Sequence, residues 1–279
     1  MTCLHPPHSL GQGVSAFFTT RDDGNLATHV GDDPLLVAQN RSRLRSFLPA
    51  EPIWLSQVHG TAVHEVMQHD GAAAPIVADA SVTTLPSVVL AILTADCLPV
   101  LIADLEGRIV GAAHAGWRGL ADGILEATVR TMRSHVVDAR LRAWIGPAIH
   151  QPRYEVGEEV RVAMLSDRCD AGDAGDAGDA GDAGDAGDAG DAGDAGDVID
   201  GDFRLALERL FIPSTMQGKW LFDLPGMATL RLQRLGVTVM PWATPCTASN
   251  PEQFWSYRRD RSRGRTAGCI WIDPGLNPI

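Results

Sequence analysis

Long apolar segments and paired cysteines are both scarce in this sequence of 279 residues. The most apolar stretch, residues 88–103, is interrupted by Asp96 and Pro99, so it predicts two buried strands rather than a membrane span. The N-terminus has no apolar region of the secretory type, and the 5 cysteines form no close pair. We therefore expect a cytoplasmic protein with free thiols, no membrane partner and no disulfide framework.

Lysine is almost absent, and acidic residues outnumber basic ones. Lys219 is the single lysine among 23 basic residues, against 35 acidic residues and a formal charge of -12. Much of the acidity comes from an Asp-Ala-Gly repeat at residues 170–197, and outside it the two signs nearly balance. Apart from one basic stretch at 258–265 the arginines are scattered, which does not favour nucleic-acid binding. Because the repeat has nothing to bury, we predict a disordered low-complexity loop inserted within a domain.

Short apolar runs of strand length precede the repeat, at residues 53–58, 63–66, 88–93, 100–103, 109–113 and 141–145. One amphipathic helix is predicted from an apolar face made of Leu120, Ile124, Leu125, Thr128 and Met132. After the repeat, two helices are predicted, at 203–211 and from the N-cap Asp223 to Gly236, followed by a strand at 237–240. Strands clustered in sequence with few helices favour an α+β fold of mixed β-sheet layers flanked by helices.

Three segments place a reactive side chain after an apolar run and beside a turn of small residues. They read SQVHG, TADCLP and AHAGWRG, and they carry His59, Cys97 and His114. Gly60 and Gly116 in these turns would allow a substrate to approach closely. Two imidazoles and one thiolate suit zinc, and three protein ligands leave the open position of a catalytic site. The same residues also suit a metal-free mechanism with a thiolate nucleophile and an imidazole base, so both chemistries stay open.

The sequence resembles the YfiH family, whose members are also called laccase-domain or polyphenol oxidase proteins. The resemblance rests on these three segments and on IGPAIHQPRYEVGEEV, FDLPGMATLRLQRLGV and SYRRDRSRGR, all in the family's order. It runs from about residue 14 to residue 273 and implies a single α+β catalytic domain over residues 1–279. It also implies a zinc ion held by His59, Cys97 and His114. The Asp-Ala-Gly repeat is not part of the family pattern.

The resemblance implies an enzyme that acts on purine nucleosides. Family members are credited with phosphorolysis of adenosine, inosine, guanosine and methylthioadenosine and with adenosine deamination, so the expected partners are a purine nucleoside and phosphate. Arg118 is the first candidate to bind phosphate, with Arg258 and Arg265 next. Arg263 stands where the family usually has threonine, so that position does not carry over. Deamination needs a carboxylate as proton shuttle, and Asp96 is left open between that role and orientation of a ligand.

Other functions are compatible with the same residues. Some bacterial family members are linked to peptidoglycan editing, the removal of L-serine from a UDP-muramoyl precursor, for which Cys97 would be the nucleophile. A non-enzymatic alternative is a partner-binding scaffold in which zinc only supports folding. A four-copper oxidase needs about ten histidine ligands, largely as H-x-H pairs. This sequence has 9 histidines and no such pair, so we expect no multicopper oxidation. Zinc is the expected metal, and copper at the His/Cys/His site is the less favoured alternative.

Overall fold

The computed structural model describes residues 2–67, 76–166, 201–261 and 263–275. The Asp-Ala-Gly repeat at 170–197 lies outside the described residues, and its assignment as a disordered loop stays a prediction. The described residues form several β-sheets and seven α-helices, which confirms the predicted α+β fold. None of the described helices is both long and apolar enough to cross a membrane.

A six-stranded sheet forms the centre of the fold. In spatial order its strands are β13 (Thr238–Val239), β9 (Leu141–Ile145), β7 (Leu98–Asp104), β8 (Val110–Ala115), β5 (Ala80–Thr83) and β3 (Val63–Glu65). Strands β7 and β8 form an antiparallel hairpin in which Leu98 pairs with Ala115 and Ala103 pairs with Val110. Every residue of these two strands is buried. A strand covered on both faces needs apolar residues at successive positions, which explains the continuous apolar runs of the sequence.

A three-stranded antiparallel sheet packs on one face of the central sheet. Its strands, in spatial order, are β1 (Val14–Phe18), β14 (Thr266–Ile272) and β6 (Leu90–Thr94). Between the two sheets, Phe18 and Ile270 share a core with Leu101 and Trp144. The ring centroids of Phe18 and Trp144 lie 4.3 Å apart. Because β6 leads directly into β7, residues 95–97 form the turn that crosses from one sheet to the other.

Helices cover the opposite face of the central sheet, chiefly α3 (Ile124–His135) and α6 (Leu224–Arg234). Successive side chains of a strand point to opposite faces. Val100 and Ile102 of β7 therefore belong to the core on the helical side, whereas Leu101 belongs to the core between the sheets. The hairpin that carries the candidate site is thus fixed by packing on both faces.

The predicted amphipathic helix is interrupted in the structure. It is divided into α2 (Trp117–Asp122) and α3, because Gly123 adopts a left-handed backbone conformation (φ 97°) that ends α2. The prediction of one continuous helix through Leu120 was therefore wrong. The N-cap prediction for α6 is confirmed, since the Asp223 side chain accepts a hydrogen bond from the Gly226 N–H at 3.0 Å.

The remaining described elements are shorter. They are β2 (Leu55–Ser56), β4 (Ile76–Val77), β10 (Glu155–Gly157), β11 (Phe211–Pro213), β12 (Lys219–Phe222), α1 (Pro34–Arg45), α4 (Glu158–Leu165), α5 (Gly201–Glu208), α7 (Tyr257–Asp260) and two 3₁₀ turns, Arg21–Asp23 and Gln151–Arg153. The strand predicted at 53–58 is reduced to β2, which pairs with β4. The helix predicted at 203–211 is also corrected, because Phe211 begins β11 and pairs with Phe222.

Candidate active site

His59, Cys97 and His114 meet at one end of the central hairpin. Their ligand atoms all lie within 4.8 Å of one another, and Cys97 Sγ is 3.8 Å from His59 Nε2. The centroids of the two imidazole rings are 4.7 Å apart. His59 follows β2, Cys97 ends the turn between β6 and β7, and His114 lies in β8. The hairpin register sets His114 opposite Pro99, which brings it beside the Cys97 turn.

A buried aspartate that the sequence analysis missed lies behind the two histidines. Asp79 comes just before β5 and is fully buried. Its Oδ1 is 2.8 Å from His114 Nδ1 and accepts the backbone N–H of His59 at 2.9 Å. Its Oδ2 accepts the backbone N–H groups of Val58 at 3.1 Å and Gly60 at 2.7 Å. An acidic residue at the start of an apolar strand was the sequence signal that could have identified it.

The turns that carry His59 and Cys97 both contain a left-handed backbone residue that is not glycine. His59 has φ 64° and Asp96 has φ 89°, a conformation that residues with a Cβ atom rarely adopt. Gln57 further anchors the first turn, because its side-chain amide donates to the Leu93 carbonyl at 2.8 Å and accepts the Leu93 N–H at 2.9 Å. Such conformations persist when the surrounding structure holds them, and they concentrate at functional sites.

Asp96 connects the Cys97 turn to a distant part of the chain. Its Oδ1 accepts the Thr247 hydroxyl at 2.6 Å, and its Oδ2 accepts the Ser256 hydroxyl at 3.1 Å and the Arg258 N–H at 2.7 Å. Both carboxylate oxygens are thus occupied by donors outside the histidine–cysteine cluster. Of the two roles left open for Asp96, these contacts favour orientation of the ligand turn over proton transfer.

The pKa values of Cys97, His114 and Asp79 depart from their ordinary values because of contacts within the site. Burial acts to raise the pKa of Cys97, but hydrogen bonds and charges from His114 and His59 lower it to about 6. Burial acts to lower the pKa of His114, whereas Asp79 and Cys97 raise it overall. Burial likewise opposes ionisation of Asp79, but the hydrogen bonds from His114 and the neighbouring backbone lower its pKa. The site therefore favours a thiolate at Cys97, the form of cysteine that binds metals.

Gly116 makes room for the candidate ligands. A Cβ atom at this position would lie 2.7 Å from His59 Cδ2 and 3.1 Å from Cys97 Sγ. A Cβ atom at Gly60 would meet only ordinary contacts, at 3.6 Å from Asp79 Oδ2 and 3.7 Å from Val58. The lack of a side chain at Gly116 therefore leaves space for His59 and Cys97. From the sequence, this space was expected to serve an approaching substrate.

A cavity of about 300 Å³ opens at the cluster. Besides the cluster it is lined by Gln57, Leu93, Thr94, Ala95, Tyr257, Arg265 and His29, the last of which the sequence analysis did not consider. Among the residues that the structure describes, no carboxylate side chain lines it. Burial lowers the pKa of His29, and the charges of Arg265 and Arg41 lower it further. This wall of the cavity is therefore electropositive.

The three candidate arginines occupy different positions. Arg265 lines the cavity, although its guanidinium also donates to the carbonyls of Arg263 and Gly264. Arg118 is exposed, with its guanidinium carbon 4.4 Å from the Trp117 ring centroid. Arg258 donates to the Glu155 carbonyl at 2.6 Å and lies over the ring of Tyr154. The structure thus brings one of the three to the cavity wall, and phosphate binding by any of them stays a prediction.

A larger cavity, of about 660 Å³, lies between the N-terminal segment and β1. Cys3, His5, Phe17 and Trp271 are among the residues that line it. Its titratable side chains form no group with metal-ligand spacing within the described part of the chain. The smaller cavity is therefore the candidate active site, because there a reactive cluster and a cation converge.

The fold and the site define an α+β protein that presents a cluster of candidate metal ligands at the ends of its central strands. The chain belongs to the YfiH family of laccase-like proteins: the family profile described as "Multi-copper polyphenol oxidoreductase laccase" matches residues 11–183 and 196–273. This confirms the resemblance found from the sequence motifs.

Named relatives and solved structures extend over nearly the whole chain. It is 37% identical over 268 residues to a purine nucleoside phosphorylase of Pseudomonas aeruginosa, covering 93% of each chain. It is 36% identical over 272 residues to "Purine nucleoside phosphorylase YfiH" of Escherichia coli, covering 94% of this chain and 95% of the relative. The crystal structure of a Neisseria meningitidis protein matches with a TM-score of 0.76 and 33% identity, over 98% of this chain and 100% of that one. YlmD from Geobacillus stearothermophilus matches with a TM-score of 0.75 and 25% identity, over 97% and 96% of the two chains.

Proposed function

We propose that this protein is a zinc-dependent purine nucleoside phosphorylase, acting on adenosine, inosine, guanosine and methylthioadenosine, with an accompanying adenosine deaminase activity. The observation that carries the proposal is the convergence of His59, Cys97 and His114 with Arg265 on one small cavity. Relatives that carry the name purine nucleoside phosphorylase cover most of the chain and support this substrate class.

The donor set fits a zinc ion. Zinc lies about 2.1 Å from an imidazole nitrogen and about 2.3 Å from a thiolate, so tetrahedral ligands of these types are about 3.6 Å apart. Cys97 Sγ and His59 Nε2 are 3.8 Å apart, close to that separation. Two imidazoles and a thiolate are also acceptable to copper, which is the less favoured metal. When bound, zinc with three protein ligands supplies a Lewis acid with an open position.

The residues around the cluster suit phosphorolysis. Phosphate is the attacking group in that reaction, and an enzyme must hold it with fixed donors and positive charge. Arg265 provides a permanent cation on the cavity wall, and Arg118 and Arg258 are the further candidates. The cavity is less suited to deamination, because none of the described residues that line it has a carboxylate side chain to transfer the proton. Proton transfer in that reaction would then fall to an imidazole, for which His29 is available in the lining.

A cysteine amidase acting on UDP-muramoyl-serine is the second candidate function. It is favoured by the lowered pKa of Cys97 and by the His114–Asp79 pair, which together provide a thiolate, an imidazole and an orienting carboxylate. The two functions differ in their dependence on metal. Release of L-serine that persists under strong chelation would support the amidase, whereas phosphorolysis should follow the content of bound zinc.

A product assay on adenosine, with and without phosphate, tests the proposal. Wild type is compared with Cys97→Ala and with Cys246→Ala, a free cysteine outside the cluster, and bound zinc is counted in each. We expect phosphate-dependent adenine release that follows zinc, is lost in Cys97→Ala and is retained in Cys246→Ala. No purine product from a fully zinc-loaded wild type would overturn the proposal.

Substitution of the arginines tests the phosphate site. A hydrogen bond to a charged group contributes about 1.5–3 kcal/mol, so Arg265→Gln should raise the phosphate KM by roughly 10- to 150-fold. Arg263→Gln is the matched control, because Arg263 is exposed and does not line the cavity. Arg118→Ala should likewise raise the phosphate KM more than it impairs deamination. Equal loss of both activities would remove the phosphate assignment from Arg118.

A further inference from the structure

We propose that Asp79 is the positioning residue of the metal site: one buried carboxylate fixes the ring tautomer of His114 and holds the backbone turn that presents His59. This inference rests on the metal-binding part of the proposed function and is independent of the reaction catalysed. Asp79 contacts the His114 ring and the His59 backbone, and it is not among the residues that line the cavity.

The hydrogen bonds of Asp79 determine which nitrogen of His114 is free. The carboxylate accepts three backbone N–H groups, from Val58, His59 and Gly60, and these can only donate. An ionised carboxylate has no proton to give, so His114 Nδ1, 2.8 Å from Oδ1, must carry the hydrogen of the fourth bond. The lone pair of the neutral ring is then on Nε2. His114 therefore meets a metal through Nε2 alone.

The same carboxylate sets the position of His59. Residues 58–60 direct three consecutive N–H groups at Asp79, and the middle residue has the unfavourable φ of 64°. These three bonds compensate for the unfavourable backbone conformation of His59. Oδ1 bonds both the His59 backbone and the His114 ring, so a single oxygen atom fixes the relative placement of two candidate ligands.

The other side chains that anchor the site each hold only one of the segments that carry a candidate ligand. Gln57 ties the His59 turn to the backbone of Leu93 in β6, a strand that carries neither histidine. Asp96 ties the Cys97 turn to the segment near Ser256. Asp79 differs because it contacts both histidine-bearing elements. A carboxylate that orients a metal-binding histidine typically contributes 10- to 100-fold to metal affinity, so the expected effect of losing it is of about that size.

Asp79→Asn is the direct test. The asparagine NH₂ group would face either His59 N–H and His114 Nδ1 or the N–H groups of Val58 and Gly60, and in both orientations donors would oppose donors. The matched control is Asp104→Asn. Asp104 is equally buried and paired with Arg108 and the Arg140 N–H, but it lies at the opposite end of β7 from Cys97.

The readout is the zinc dissociation constant, measured by competition with a chelator without any substrate. We expect zinc binding to weaken by about 10- to 100-fold in Asp79→Asn and to stay within about twofold of wild type in Asp104→Asn. Zinc affinity of Asp79→Asn within about twofold of wild type would overturn the inference. If zinc binding is lost as expected while wild type yields no purine product, the proposed reaction fails and the inference stands.

A second measurement uses the wild type and does not depend on the folding of a variant. NMR of cadmium-loaded protein with isotope-labelled histidine identifies the coordinating nitrogen through its scalar coupling to the metal. We expect coupling to His114 Nε2 and a slowly exchanging proton on Nδ1. Coupling to Nδ1, or failure of the wild type to take up either metal, would overturn the inference.

Discussion

Replacement of Gly116 by alanine should separate metal binding from folding. The backbone at Gly116, with φ -66° and ψ 160°, is accessible to any residue, so the new methyl group brings no conformational penalty. The new methyl group would instead clash with two candidate ligands, because its Cβ atom would lie 2.7 Å from His59 Cδ2 and 3.1 Å from Cys97 Sγ. Carbon atoms in contact are normally about 3.5–4.0 Å apart. The His59 ring must therefore move by about 1 Å.

The magnitude follows from the side chain that moves. His59 is exposed, so its ring can turn toward solvent, and the cost to unfolding should stay near 1 kcal/mol, as for other exposed positions and helix caps. Metal ligands, by contrast, tolerate displacements of only about 0.2 Å. A shift several times larger removes His59 from the ligand set, and we expect zinc affinity to fall at least tenfold, or about 1.4 kcal/mol.

Chelator competition for zinc and urea unfolding of the metal-free protein measure the two effects separately. Gly60→Ala provides the control, because it adds the same methyl group in the His59 turn with contacts no closer than 3.6 Å. Zinc binding should survive in Gly60→Ala and fail in Gly116→Ala. Equal zinc affinity in wild type and Gly116→Ala would refute the placement of His59 as a ligand beside Gly116.

Three further predictions concern stability and the repeat. Asp96→Asn deprives at least one of three donors, two of them buried, of its acceptor and should lower the free energy of urea unfolding by about 1–3 kcal/mol. Burial acts to raise the pKa of Asp104, but Arg108 lowers it overall. The ionised Asp104 carboxylate therefore stabilises the folded protein above the ordinary aspartate pKa of about 3.9, and this stabilisation is lost as pH falls through the lowered pKa of Asp104. In Asp104→Asn, the free energy of urea unfolding should therefore depend less on pH in the acid range. Deletion of residues 170–197, which supply none of the site residues, should leave turnover within about twofold.

The buried strands were the most predictable part of the fold. Strands β6, β7, β8 and β9 are covered on both faces, so each needs a continuous apolar run that is visible in the sequence. The short strands were less predictable: only two residues of the run at 53–58 form β2, and β4 was not predicted, because the pairing of these strands depends on neighbours rather than on burial. The break at Gly123 also escaped prediction, since the apolar helical face continues across it while the backbone turns left-handed.

The candidate ligands were predictable from their motifs, and Asp96 was named beside Cys97, but Asp79 was not predicted. Each of His59, Cys97 and His114 lies next to a turn of small residues at the end of an apolar run. The hydrogen-bond partners of Asp79 and Asp96 could not be predicted, because they lie 19–35 and 151–162 residues away in the chain. A hydrogen bond across that separation exists only once the sheets have formed. Sequence reasoning therefore selected three side chains that cluster in the structure, and it missed Asp79 and the long-range partners of Asp96.

The side chains that line the cavity give more direct evidence about the reaction than the oxidoreductase description of the family profile does. Multicopper oxidation requires several copper sites, whereas the described residues contain one group of His, Cys or acidic side chains with metal-ligand spacing. Oxidation of a phenol also gives no reason for a fixed cation beside the candidate metal ligands. Arg265 is such a cation, on a wall without a described carboxylate, and its charge helps to lower the pKa of His29. Positive charge on this wall attracts an anion, so Arg265 favours a reaction with an anionic co-substrate such as phosphate.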